Sequence, residues 1–141
     1  MLCKDLMKTD IECVSATDTV QEAAARMRDQ NVGFLPVCDA DDKVLGTITD
    51  RDIAIRIAAA AKPATTPVAD AMTQEVVACG PEDDLQRAHQ LMAKNRKSRI
   101  MCVDEGGVLV GVISLSDIVQ GEPGPRAADT LRKVSEREAR H

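Results

Sequence analysis

The sequence repeats itself, and this restricts what the chain can fold into. Residues 46–53, GTITDRDI, return as GVISLSDI at 111–118. Sliding the chain against itself by 65 positions aligns residues 5–53 without a gap. The alignment pairs Asp5 with Asp70, Met7 with Met72, Asp18 with Asp83, Gln21 with Gln86, Met27 with Met92, Gly46 with Gly111 and Asp52 with Asp117. Such a chain is a tandem repeat of one supersecondary unit.

Within each unit the local signals run in one order. A short apolar strand (residues 11–15; 76–79) leads to Asp18 or Asp83, which with Gln21 or Gln86 three residues on reads as an aspartate version of a capping box. The helix that follows carries Val20, Ala23, Ala24 and Met27, or Leu85, Ala88, Leu91 and Met92, at the spacing of one helical face, and ends near Asn31 or Asn95. Two apolar runs come next, 34–38 and 44–49 in the first unit and 99–103 and 108–114 in the second, joined by polar turn-formers of hairpin length. A second helix starts at the repeated motif, spanning 52 to about 61 in the first copy and 117–120 in the second. The unit is therefore β-α-β-β-α, and the fold class is mixed α/β (α+β).

The breaks between units are equally legible. KPATTP at 62–67 is a linker between a first repeat over 1–61 and a second over 68–120. Gly121-Glu122-Pro123-Gly124-Pro125 breaks the chain again and opens a C-terminal segment, 121–141. There, 127–140 reads as a charged helix with Leu131 and Val134 as apolar anchors, either a solvated tail or an arm that docks on a partner subunit.

Composition removes several functions. At 141 residues the chain can bury an interior without metal or disulfide help, but Phe34 is its only aromatic residue, so the interior must be aliphatic. A net charge of -5 argues against nucleic-acid binding. No apolar run is long enough to span a membrane, and the N-terminus lacks the apolar core of a signal peptide, which points to the cytoplasm. Two histidines and no complete P-loop leave no catalytic constellation, so the expectation is that this is not an enzyme. Five cysteines, an odd number with no C-x-x-C, argue against a zinc site and for small buried hydrophobes. Cys13 and Cys38 fall in neighbouring strands, where a disulfide or redox-sensitive pair is geometrically conceivable, while Cys79 and Cys102 occupy the corresponding strands one residue out of register. His89, beside Ala88, is expected at the boundary or surface.

The motif itself admits two readings. Thr49-x-x-Asp52 and Ser114-x-x-Asp117 match the pattern of a capped helix and nothing more. A strand ending in a hydroxyl residue and turning at once into a helix also offers free backbone N–H groups to a phosphate. An aspartate in the first turn adds a carboxylate suited to ribose hydroxyls. Together these groups suit a ribonucleotide.

The order of elements, the V-x-D-x-M opening at Val68–Met72, the Leu35-Pro36-Val37 strand and the doubled G-h-h-[T/S]-x-x-D motif resemble a CBS-domain pair, or Bateman module, over about residues 2–120. The resemblance implies two CBS repeats related by a pseudo-two-fold axis and sharing one core. It also implies a regulatory module that senses AMP, ADP, ATP or S-adenosylmethionine in clefts between the repeats. Carried over, the phosphate and ribose contacts are Thr49, Asp52, Ser114 and Asp117. Arg99 and Lys97, just before the second strand of the second unit, are phosphate candidates, and Arg51 inside the first motif either reaches phosphate or is a surface side chain. With no Trp or Tyr, the adenine slot must be aliphatic, and the resemblance places it along the short strands that include Cys13, Val77 and Ala78. Met101 stands where the first repeat has Pro36, a departure that affects the second cleft. No cofactor is required. The expected partners are a reversible adenine nucleotide, a second copy of the chain in a homodimer, and a regulated protein that the sequence does not name. The alternatives are a structural, dimerisation or partner-docking module with no nucleotide, and a thiol-responsive one built on Cys13 and Cys38.

Overall fold

The computed structural model describes the backbone of residues 1–139 and the side chains of residues 1–136. In chain order the elements are α1 (Cys3–Leu6), β1 (Val14–Ser15), α2 (Val20–Gln30), β2 (Phe34–Cys38), β3 (Val44–Thr49) and α3 (Asp50–Ile53), which runs on into a π-helical turn at Ala54–Ala58. A 3-10 turn at Val68–Asp70 opens the second half, followed by β4 (Ala78–Cys79), α4 (Leu85–Asn95), β5 (Arg99–Val103), β6 (Leu109–Ser114), α5 (Leu115–Gly121) and α6 (Pro125–Ala139). Two three-stranded sheets result, β1-β2-β3 and β4-β5-β6, each with one parallel and one antiparallel pairing. The β-α-β-β-α order therefore occurs twice, as the repeat implied.

The turns and caps follow local chemistry. Asp39 Oδ1 accepts from the N–H of Asp41 and Lys43, and Asp104 Oδ1 accepts from Gly106 and Val108, closing the two hairpin loops. The expected aspartate caps fall one residue later. Asp18 and Asp83 accept from the N–H of Ser15 (2.9 Å) and Gly80 (2.8 Å), which folds the turn out of the first strand. Thr19 and Asp84 then cap the helices by accepting from Glu22 (3.1 Å) and Gln86 (2.8 Å). A side chain already bonded back to the preceding turn cannot also reach into the first helical turn. Both helices end on a left-handed residue, Asn31 (φ 55°) and Arg96 (φ 53°). Ala24, expected on the buried face of α2, is exposed; Val20, Ala23 and Met27 carry that face.

Compact units and sequence repeats divide the chain differently. One compact unit is Met1–Ile11 together with the chain from Val77 onward; the other is Glu12–Val76. Each repeat thus gives its opening segment to the unit built by the other. The same bonds hold both exchanged segments, 65 positions apart. In the first unit Cys3 and Lys4 N–H donate to Asp83 and Pro81 carbonyls (both 2.9 Å), and Lys8 and Val112 exchange a pair of bonds at 2.9 and 3.0 Å. In the second, Val68 and Ala69 donate to Asp18 and Ala16 at 2.7 and 2.9 Å, and Thr47 and Thr73 exchange a pair at 2.9 and 2.8 Å.

The motif glycines permit this exchange. A Cβ at Gly46 would strike the Thr73 carbonyl, and one at Gly111 would meet the Met7 side chain and the Lys8 carbonyl. Each unit has its own cluster of buried apolar side chains, and each cluster contains material from both repeats. Cys3 is buried with Leu85, Met92, Ile100 and Ile113; Val68, Ala71 and Met72 are buried with Val14, Val20, Leu35 and Ile48. The repeats share their interiors by exchange.

The charged C-terminal helix is α6, which begins at Pro125; Arg140 and His141 lie outside the described residues. It lies on α4 of its own chain, with Ala127 and Val134 in the buried cluster and Thr130 buried between them. Leu131, expected as an anchor, is 47% exposed, because the face against α4 is formed by 127, 130 and 134. No helix among the described residues is long and apolar enough to cross a membrane.

Candidate functional site

Both copies of the motif form reciprocal capping boxes. Thr49 Oγ1 accepts from Asp52 N–H (3.1 Å) while Asp52 Oδ2 accepts from Thr49 N–H (3.0 Å). Ser114 and Asp117 do the same at 3.1 and 3.1 Å. The plainer of the two readings is therefore what these side chains do locally, and the second helix of the first repeat starts at Asp50 rather than Asp52 because Thr49 is its cap. It stays α-helical only to Ile53 before widening into the π-helical turn.

The expected free amides are largely engaged. Asp50 N–H donates to the Gly33 carbonyl (3.0 Å), Arg51 N–H to the Asp50 carboxylate (2.8 Å), and Leu115 N–H to the Ser98 carbonyl (2.7 Å). Recognition of an anion at these strand ends must come chiefly from side-chain cations.

What remains open on each aspartate is Oδ1. Asp52 and Asp117 are each 14% exposed, and the free oxygen of each faces a cation. Asp52 Oδ1 lies 3.9 Å from Arg56 Nε, and Asp117 Oδ1 lies 3.6 Å from Lys8 Nζ. Neither cation was singled out from sequence. Arg56 could have been, four residues from Asp52 on a helix. Lys8 could not, because only the exchanged segment brings it to Asp117.

Strand register places the remaining candidates. Arg99 pairs directly with Ser114, and Met101 with both Val112 and Ala78. Directly opposed residues share a sheet face, so Ala78, Met101, Arg99 and Ser114 stand on the face away from the buried cluster. Val77 falls on the other side and packs against that cluster. In the second unit Phe34 pairs with Thr49, in the position Arg99 holds opposite Ser114. Arg51, Lys97 and Arg99 are exposed.

The cysteines form two groups, all with free thiols. Cys38 is buried, and burial followed by a side-chain hydrogen bond with Cys13 pushes its pKa up. A second group joins three elements. The Cys79 sulfur lies 3.5 Å from that of Cys3 and 3.5 Å from that of Cys102, all three buried. The hydrogen bond with Cys102 leads the rise that takes Cys79 to about 12. Cys3 is raised as well, first by its hydrogen bond to Cys79 and then by burial. The sequence did not group Cys3 with Cys79 because only the exchanged segment brings the two together. Among the described residues no group of three or more His, Cys, Asp or Glu is arranged to hold a metal ion.

His89 is buried, contrary to the boundary or surface position expected of it. The Thr130 hydroxyl donates to the Arg126 carbonyl (3.0 Å), so it accepts from His89 Nδ1–H at 2.7 Å. The other ring nitrogen, Nε2, has no hydrogen-bond partner and sits 3.6 Å from Glu122 Oε1. Burial and then the Arg126 charge lower the His89 pKa, against a smaller opposing pull from Glu122. The ring was hidden from sequence reasoning because α6, which covers it, carries few apolar residues.

The CBS-domain family model matches residues 3–59 and again 68–123. The CBS domain-containing protein YhcV of Bacillus subtilis is 38% identical over 125 residues, covering 89% of this chain and 88% of YhcV. The crystal structure of Hypoxic Response Protein I with two coordinated zinc ions is similar at a TM-score of 0.78 and 30% identity, over 87% of this chain and 100% of that one. The CBS domain pair of protein MJ0100, in complex with 5'-methylthioadenosine and S-adenosyl-L-methionine, is similar at a TM-score of 0.76 and 25% identity, over 85% of this chain and 94% of that one. With the family model matched twice and the same architecture, the chain belongs to the CBS-domain family, as a tandem pair.

Proposed function

We propose that the chain is a regulatory module that binds an adenosine-containing ligand reversibly and catalyses no reaction. Its contacts are Thr49 and Asp52 in one unit and Ser114 and Asp117 in the other. The observation that carries this reading is the Oδ1 atom left on each aspartate after capping. It is an acceptor held at a strand end, beside a hydroxyl and next to a cation, an arrangement suited to a ribose diol. Ala78, partly exposed on the face shared with Ser114 and Arg99, supplies apolar surface for the adenine. The adenosine ligands of MJ0100 support the ligand class.

A thermal-shift panel of AMP, ADP, ATP, S-adenosylmethionine and methylthioadenosine tests the reading. At a hundredfold excess over Kd a ligand stabilises by about 2.7 kcal/mol, and Asp52→Asn with Asp117→Asn should remove the shift while keeping a cap acceptor at each position. If no compound moves the midpoint, the reading is wrong. The capping boxes favour a second reading, in which the motif is structural only. Asp52→Ala would then cost about 0.5–2 kcal/mol and change no binding.

A further inference from the structure

Two cations bracket the end of β6, one from each side. On one edge Arg99 of β5 stands directly opposite Ser114. On the other edge the exchanged N-terminal segment pairs Lys8 with Val112, two residues earlier, through bonds of 2.9 and 3.0 Å. Adjacent strands are about 4.8 Å apart, so long basic side chains from both neighbours reach the space above Ser114. Lys8 extends its ammonium to 3.6 Å from Asp117 Oδ1 while remaining 68% exposed. Arg99 is exposed and forms no ion pair among the described residues.

The other unit repeats this geometry without the charge. Thr73 occupies the position of Lys8, bonded to Thr47 at 2.9 and 2.8 Å, and Phe34 occupies the position of Arg99. Arg56, the cation nearest Asp52, donates to the carbonyls of Ala71 (3.4 Å) and Met72 (2.9 Å), so it holds the exchanged segment. Lys8 has no such duty. A mostly exposed ion pair is weak, so an incoming phosphate can draw the ammonium away from Asp117 and free Oδ1 for a ribose hydroxyl.

We propose that Lys8 is a specificity residue of the Ser114–Asp117 site. With Arg99 it selects adenosine ligands that carry a 5'-phosphate over those that do not, whereas the Thr49–Asp52 site lacks this selection. This rests on the function proposed above. Phosphate binding then also fastens residues 1–11 to the unit they have joined.

The test is calorimetric titration of the full chain with AMP and with adenosine. An Asp52→Asn background isolates the Ser114–Asp117 site. Lys8→Ala should weaken AMP binding about tenfold and leave adenosine unchanged, Lys8→Arg should restore AMP binding, and Lys43→Ala, in an exposed hairpin loop, should change neither. In an Asp117→Asn background, Thr73→Lys should create a preference for AMP at the other site. Far-UV circular dichroism of Lys8→Ala serves as the control for folding, since its backbone bridge needs no side chain. Equal weakening of both ligands, or an unchanged ratio, overturns the inference and leaves the binding function standing. Failure of the unmodified chain to bind either ligand overturns both.

Discussion

Replacing Gly46 by alanine tests whether the exchanged segment after the linker is held by backbone approach to β3. A Cβ at this position would collide with the Thr73 carbonyl oxygen, come within 2.7 Å of Met72 Cε and lie 3.1 Å from Gln74 Cα. Two of these three atoms are backbone, so the segment around residue 73 must retreat. Retreat breaks the paired Thr47–Thr73 bonds at 2.9 and 2.8 Å, worth about 1–3 kcal/mol together. Overpacking adds about 1–3 kcal/mol, and the better strand propensity of alanine recovers about 0.5–1 kcal/mol. The net loss is about 1–5.5 kcal/mol, or roughly 3–19 °C in Tm for a chain of this length.

Gly111→Ala is the internal control. Its Cβ meets Met7 Sδ at 2.7 Å and Cγ at 2.8 Å, both on a flexible side chain, and only the Lys8 carbonyl, at 3.1 Å, is backbone. That variant should lose about 0–1.5 kcal/mol. Because the chain has no Trp or Tyr, unfolding is best followed by far-UV circular dichroism in urea. A Gly46→Ala variant no less stable than Gly111→Ala would refute the argument.

Two further outcomes follow from the buried groups. His89 is neutral when α6 is docked, with a folded pKa below its ordinary value near 6.5; the unfolded chain therefore binds more protons as pH falls. The stability it contributes is complete above pH 6.5 and is lost downward as pH passes through the lower folded value. Glu122 and Arg126 face the ring, and Arg126 is held by Glu122 and Gln86. Urea midpoints measured from pH 7.5 to 5.5 should fall with pH, and His89→Gln should flatten that slope; a slope unaltered by the substitution would show that another group titrates. Among the cysteines, half-exposed Cys13 should be alkylated by iodoacetamide first, and Cys3, Cys79 and Cys102 last, since all three are buried and thiol hydrogen bonds disfavour the Cys3 and Cys79 thiolates. Peptide mapping that finds the buried three labelled as fast as Cys13 would contradict the packing.

Local structure was readable where one segment's own residues decide it. Phe34–Cys38, Val44–Thr49 and Arg99–Val103 lie where the apolar runs put them, and both motif copies cap helices as their spacing required. The first-helix caps were misplaced by one residue because Asp18 and Asp83 serve the preceding turn instead, a competition that composition does not reveal. α6 was legible as a helix but not as a buried one. It docks through Ala127, Thr130 and Val134, which form too small an apolar stripe to announce a buried face.

The 65-residue repeat by itself determined the fold class, the doubling and the two capped motifs, because periodicity and spacing are properties of the chain alone. Only the tertiary structure decided which repeat completes which unit. Segments 1–11 and 67–76 each bond to the other repeat, and long-range pairing of this kind leaves no mark at the offset. From that exchange came Lys8 beside Asp117, Cys3 against Cys79, and the steric need for glycine at 46 and 111. The sites are alike in sequence and unlike in charge because their neighbours arrive from elsewhere in the chain.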